Sequence, residues 1–319
     1  MKKTKLVSLL LAVLMVLSMF TLAGCEQQAA AKLGLGVVID GSTTDATEEA
    51  NGDGTYAVVM AAVTVQENGK IAACKIDEVE IVMEFDFEGV CVPTESFASK
   101  RELGDNYGMA AWANTTEWYA QVDALEKLIV GKTIDEVNAL SGSEEVAKAG
   151  CTIYYDGFIA AVNKAYNNAT VAGASATDLV SVSYSASVSA TDATEEANGK
   201  MEADVAFAAV AKNKDGKITA AMNDAATMGV TFDLEGYTED LTEVQTKREQ
   251  GDNYGMAAWA NTNEWYVQAD ALDKYVVGKT ADEVLGAMDA TGTPNADVAK
   301  AGCTINVYAA VTALNKAAK

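Results

Sequence analysis

The stretch Gly104-Asp105-Asn106-Tyr107-Gly108-Met109-Ala110-Ala111-Trp112-Ala113-Asn114-Thr115 returns without a change at residues 251–262. Twelve identical residues 147 positions apart mark a duplication, and its extent decides the fold. Thr44-Asp45-Ala46-Thr47-Glu48-Glu49-Ala50-Asn51-Gly52 returns as 191–199, and Gly131-Lys132-Thr133 as 278–280, at the same offset. Ala149-Gly150-Cys151-Thr152-Ile153 returns 152 positions on, as 301–305, so the second copy carries five extra residues near 291–295. A solenoid repeats every 20–50 residues or so; a period this long means two tandem domains. They are expected over 32–168 and 179–319, joined by a small, polar linker at 169–178.

Each unit begins with strands. The first is expected near 35–39, and in the second copy at 179–188, where Val180, Val182, Tyr184, Ala186 and Val188 alternate with serines. A longer strand follows at 56–65. Asn68-Gly69 breaks it, a run at 71–76 continues, and a third at 79–87 extends the meander. Asp215-Gly216 stands where Asn68-Gly69 stood, and both pairs favour a type I′ hairpin turn. The second half of each unit is helical. Trp118, Val122, Leu125 and Ile129 share one helix face, with Thr115 or Thr116 as the start signal and Gly131 as the stop. Thr133 and Glu136 fit a capping box. Ala149–Ile153 reads as a short buried strand start, and Phe158, Ile159, Val162 and Ala165 form a closing helix stripe. The order predicts an α+β fold of two tandem duplicated domains, each an antiparallel β-meander with helices packed on one face.

The 319 residues carry a formal charge of −23 and no histidine. Nucleic-acid partners are excluded by that charge. Triads and haem sites that need an imidazole are excluded by the composition, and no residue set stands out for hydrolysis. Flavin chemistry stays open, because the ring system does the redox work. Lys2, Lys3 and Lys5 precede an apolar run over 6–22, which ends in Leu22-Ala23-Gly24-Cys25. This reads as a secretory signal over 1–24, and its end resembles the bacterial lipobox. Cys25 is then the lipidated N-terminus, 25–31 a tether, and the location the extracytoplasmic face of a bacterial membrane. Cleavage there leaves 20 basic residues against 46 acidic ones. Cys74 and Cys91 have Ala221 and Thr238 as counterparts, so a disulfide framework is not the basis of the repeat; a Cys74–Cys91 bridge is the alternative to small buried thiols.

Asp53-Gly54-Thr55-Tyr56, Asn68-Gly69-Lys70-Ile71, Asp215-Gly216-Lys217-Ile218 and the Ala-Gly-Cys-Thr segments before a closing helix are similar to the FMN-binding domain family. Its members include flavin-carrying subunits of ion-pumping complexes and lipoproteins of extracellular electron transfer. The resemblance implies an FMN phosphate esterified to Thr152 and Thr304, with Gly150 and Gly302 at the motif's glycine. It also implies a membrane dehydrogenase and a flavin transferase as partners. Ala149 and Ala301 replace the motif's serine, Cys151 and Cys303 its alanine, and Val146 and Val298 its acid.

A second candidate site is Lys100-Arg101 leading to Tyr107, with Lys247-Arg248 and Tyr254 as its copy. The bases suit a phosphate, and Tyr107 or Trp112 a flat ring. The other reading is a loop that only seats the next helix. Asp45 to Glu49 reads as a solvated helix start rather than a calcium loop. Two function classes follow: a flavin-based electron carrier, or a surface lipoprotein that binds a ligand or acts as a scaffold without covalent flavin.

Overall fold

The computed structural model describes residues 29–94, 96–239, 241 and 244–319; Cys25 and the signal segment lie outside them. The fold is mixed α+β with two antiparallel sheets. In the first unit β1 (Ala30–Thr44), β2 (Gly52–Gln66) and β3 (Ile71–Phe85) form a meander. In the second, β5 (Leu179–Thr191), β6 (Gly199–Lys212) and β7 (Ile218–Phe232) repeat it. The segment expected to be a plain linker holds β4 (Val171–Ser175), which adds to the free edge of β1. Sheet orders are therefore β3-β2-β1-β4 and β5-β6-β7.

The runs at 71–76 and 79–87 belong to one unbroken strand, β3, which stops at Phe85. The hairpins are present, but their turns are not type I′. Only Gly69 and Gly216 have positive φ, +77° and +74°. Gly69 N donates to Gln66 O, and Gln66 N to Lys70 O, both at 2.9 Å; Gly216 and Asn213 repeat the pattern. This is a three-residue loop, a type I turn closed by a left-handed glycine. Asn68 supplies an acceptor for Lys70 N rather than a second positive φ.

Among the described residues six α-helices follow in each unit, with a 3₁₀ turn after the first of them, Gly104–Tyr107 and Gly251–Tyr254. They are α1 (Lys100–Leu103), α2 (Met109–Ala113), α3 (Trp118–Ile129), α4 (Ile134–Asn138), α5 (Glu144–Ala149) and α6 (Asp156–Asn167). Their copies are α7 (Lys247–Gln250), α8 (Met256–Ala260), α9 (Trp265–Val276), α10 (Ala281–Leu285), α11 (Ala296–Ala301) and α12 (Tyr308–Ala318). The α3 stripe is buried as expected, but Glu117, not Thr115 or Thr116, is its N-cap. Thr133 and Glu136 form the capping box. Residues 45–50 make a tight turn closed between Thr47 and Ala50, not a helix start.

Both faces of each sheet are covered. On one face Val59, Ala61, Val63, Ile71 and Ile76 pack under α3 and α6. On the other, Leu33, Leu35, Val37, Val58, Met60, Ile81 and Phe85 meet Val205, Phe207, Met228, Val230 and Phe232 of the second sheet in one shared core. The layers run helix, sheet, sheet, helix. The contacts across the middle are reciprocal. Phe85 and Phe232, 147 apart, stack with centroids at 4.1 Å and planes 3° apart. Asp45 accepts from Thr238 N, and Asp192 accepts from Cys91 N, each at 2.8 Å. Lys164 pairs with Glu249, and Lys316 with Glu102, each at 2.6 Å. Such i-to-j and j-to-i pairing is the rule of a two-fold interface, here within one chain.

Candidate functional site

In each unit the two repeated motifs meet at one buried glutamine. Gln121 is on the buried side of α3. Its Oε1 accepts from Thr152 N at 2.8 Å and from Thr152 Oγ1 at 3.0 Å. Its Nε2 donates to Thr116 O at 3.2 Å and approaches Met109 Sδ at 3.6 Å. Gln268 does the same for Thr304, at 2.9 and 3.1 Å, and for Asn263 O and Met256 Sδ. The glutamines carry a sequence signal beyond the expected site residues: a polar residue three positions after Trp118 or Trp265, on the buried stripe, present in both copies.

The Ala149–Ile153 segment is no strand. α5 ends at Ala149, and Gly150 closes it in the left-handed region at φ +109°, as Gly302 does at +112°. A glycine just past the last helical turn is the usual stop, since a Cβ there is strained. The loop's amides are all engaged. Gly150 N bonds Ala147 O, Cys151 N bonds Val146 O, Thr152 N bonds Gln121, and Ile153 N bonds the Cys151 sulfur. The second copy repeats each one. Thr152 and Thr304 are exposed. Their hydroxyls donate to an amide oxygen, so no base activates them. A phosphate held by this loop would need donors that are already in use, so the loop as folded does not fit that group. Cys151 and Cys303 are buried, and burial pushes the Cys303 thiol up to about 11, so neither is a poised nucleophile. Cys74 packs in the helix-side core and Cys91 against the shared core, so they lie on opposite faces of the first sheet, and both are free thiols.

The Lys-Arg pairs have carboxylate partners. Arg101 bonds Asp123 at 2.8 Å and Glu126 at 2.6 Å, and Lys75 joins both at 3.2 Å. Lys100 pairs with Glu78 at 2.7 Å and Glu80 at 3.4 Å. Burial works against the Lys100 charge, and Glu78, Tyr107 and Glu80 together outweigh it, leaving the amine more basic than usual. Lys100 stands over the rings of Tyr107 and Trp118, at 5.2 and 5.9 Å. Trp112, expected beside Tyr107 for ring stacking, is turned to solvent, 68% exposed, and Trp259 is 67% exposed. Arg248 bonds Asp270 at 2.8 Å and Asp273 at 3.0 Å. No lysine assists it, because Met222 occupies the place of Lys75. Burial pushes Asp224 and Asp273 up to about 6. Glu117 Oε1 and Glu264 Oε1 each pin the repeated loop by accepting a backbone N–H at 3.1 Å, and each leaves Oε2 enclosed without a partner among the described residues.

Lys247 differs from Lys100. Ala225 and Thr227 stand where Glu78 and Glu80 stood, and Lys247 makes no ion pair among the described residues. It stands over Tyr254 and Trp265 at 5.0 and 5.8 Å. With Trp265 it lines a cavity of about 170 Å³ that reaches Leu272, Cys303 and Asn223, each about 1% exposed. In the first unit the same region is a wider surface groove of about 700 Å³, bounded by Lys100, Tyr107, Trp118, Ile153 and Phe158. Leu125, Cys151 and Ile76, the counterparts of those deep residues, do not line it. Among the described residues no cluster of His, Cys, Asp or Glu could hold a metal ion, and no helix is long and apolar enough to cross a membrane. Comparison with protein-family models, curated proteins and solved structures finds no match to the chain.

Proposed function

We propose that the chain is a lipid-anchored binding protein of the extracytoplasmic membrane face, and that it holds a small ligand in its second unit without reacting with it. One observation carries this reading. A lysine neutralised by two carboxylates in the first unit stands without one in the second, at a cavity that reaches the core. Anchoring would come from Cys25, and the acidic surface keeps nucleic acid away.

Covalent FMN on Thr152 or Thr304, making the chain an electron carrier served by a membrane dehydrogenase and a flavin transferase, is the second reading. It is favoured by the exposure of both hydroxyls and by the aromatic groove that starts at Ile153. The test is expression of the full chain with a flavin transferase, followed by denaturation, removal of small molecules, and mass analysis of the peptides holding Thr152 and Thr304. Unmodified peptides are expected. Flavin mass on either threonine would replace the binding reading with the electron-carrier one.

A further inference from the structure

At five of the positions that line the cavity of the second unit the copy carries the smaller or less apolar residue, although Asp204 and Ala309 are larger than their counterparts Ala57 and Gly157. Ala206 replaces Val59, Asn223 replaces Ile76, Ala225 replaces Glu78, Ala269 replaces Val122, and Ala310 replaces Phe158. In the first unit Phe158 stands edge-on to Trp118, centroids 5.7 Å apart and planes at 90°. In the second, Ala310 leaves the face of Trp265 without that ring. The pocket opens to solvent at Lys247 and Asp204 and narrows toward Leu272, and its volume of about 170 Å³ is close to that which accepts a single benzene-sized ring. The walls here are alanines, Leu272, Ile305 and Trp265, which suit an apolar, flat body.

The polar groups set the other end of the ligand. Lys247 carries the positive charge at the cavity and has aromatic rings rather than a carboxylate beside it. Asp204 also lines the cavity. It is exposed, accepts from Thr227 Oγ1 at 2.6 Å, and makes no ion pair with Lys247 among the described residues. Asn223 uses its amide nitrogen on Asp273, at 2.6 Å, and on Ala269 O.

We infer that this cavity binds a monocyclic aromatic carboxylate, its ring against Trp265 in the space left by Ala310 and its carboxylate on Lys247. The inference rests on the binding-protein reading and narrows it to a ligand class. The ring displaces apolar surface from water, and the charge-assisted bond to Lys247 fixes orientation. A ligand of this size binds with a dissociation constant on the order of 100 µM.

The test is calorimetric titration of the full chain, in detergent, with benzoate, benzylamine and benzyl alcohol. One benzoate per chain is expected, bound about tenfold or more tightly than benzyl alcohol, with benzylamine weaker still. Lys247→Gln should remove the preference for benzoate over benzyl alcohol. Ala310→Phe and Ala225→Glu should each abolish benzoate binding. Both rebuild the first unit's arrangement, which the chain already folds, and a thermal melt confirms that they fold. Benzylamine binding best would assign the charge recognition to Asp204 and overturn the inference. So would unchanged benzoate binding in Ala310→Phe, or no heat with benzoate. None of these outcomes places flavin on a threonine, so a failed ligand class stays distinct from a failed binding-protein reading.

Discussion

In the first unit Phe158 closes on Trp118 and Glu78 holds Lys100; in the second, Ala310 and Ala225 stand in those places. The framework around them is unchanged. The same glutamine ties the same two loops, and an arginine–carboxylate lock seats each Lys-Arg helix. The chain therefore holds the same arrangement twice, and the two differ at the residues between α9, α12 and the sheet. In one copy that space is a wide, shallow groove and the lysine is held by carboxylates. In the other it is a narrower pocket that reaches Leu272, Cys303 and Asn223, and the lysine has no carboxylate partner. A difference of this kind points to a site, because it leaves a lysine without a carboxylate at the mouth of a pocket that reaches the core.

The largest effect tests what the units share. Phe85 and Phe232 stack at the centre of the common core. Phe85→Ala should cost about 4 kcal/mol, and Phe232→Ala the same within about 1 kcal/mol. Denaturant unfolding followed by circular dichroism and tryptophan fluorescence should give coincident single transitions for both variants. Two separated transitions would mean that the units hold independent cores.

Next comes the converse of the cavity test. Phe158→Ala combined with Glu78→Ala gives the first unit the second unit's residues at two of the five positions. It should cost about 3 kcal/mol and create new benzoate binding, raising the stoichiometry from one to two. The stability loss without the second ligand would show that the other three positions are also needed.

The locks should respond unequally. Arg248→Ala leaves Asp273 buried without its cation and should cost about 3 kcal/mol. Arg101→Ala should cost about 2 kcal/mol, because Lys75 still reaches Asp123 and Glu126 at 3.2 Å. Equal losses would remove Lys75 from this account.

The Gln121→Ala and Gln268→Ala variants should each cost about 2 kcal/mol, since each removes a fully buried side chain and the hydrogen bonds that tie two loops to the helix. These glutamines mark the limit of what was legible in the sequence. Strands, hairpins and amphipathic helices follow from local spacing, and β2, α3 and α6 stand close to where the pattern puts them. The turn type was missed because Asn68 acts by its side-chain oxygen, which dipeptide statistics do not separate from positive φ. Ala-Gly-Cys-Thr reads as a strand start because cysteine and threonine suit strands, but Lys148 followed by Gly150 is equally a helix ending, and that is what the chain forms. The shared core was not legible as a pairing, since its contacts join residues about 150 positions apart. One clue stood in plain view: Ala57 to Val63 is apolar throughout, which marks a strand covered on both faces. The cavity appears only when the two copies are compared residue by residue at positions the helices bring together.

The smallest effect separates the locks by proton uptake. Burial raises the Asp273 carboxyl from 3.8 to about 6, against the pull of Arg248, and Asp224 rises with it. The folded state then holds these protons more tightly than the unfolded chain does. Their contribution is fully present below about pH 4 and is lost as the pH rises through about 6. Between pH 7.5 and 5 the acidified protein should gain on the order of 1 kcal/mol, read as a rise in melting temperature. Asp273→Asn should flatten that rise, because an amide has no proton to take up. Glu126→Gln should flatten it less: burial raises Glu126 as well, but Lys75 and Arg101 both oppose the rise. A slope that both variants leave intact would assign the pH dependence to the general acidic repulsion of the surface rather than to the second unit's lock.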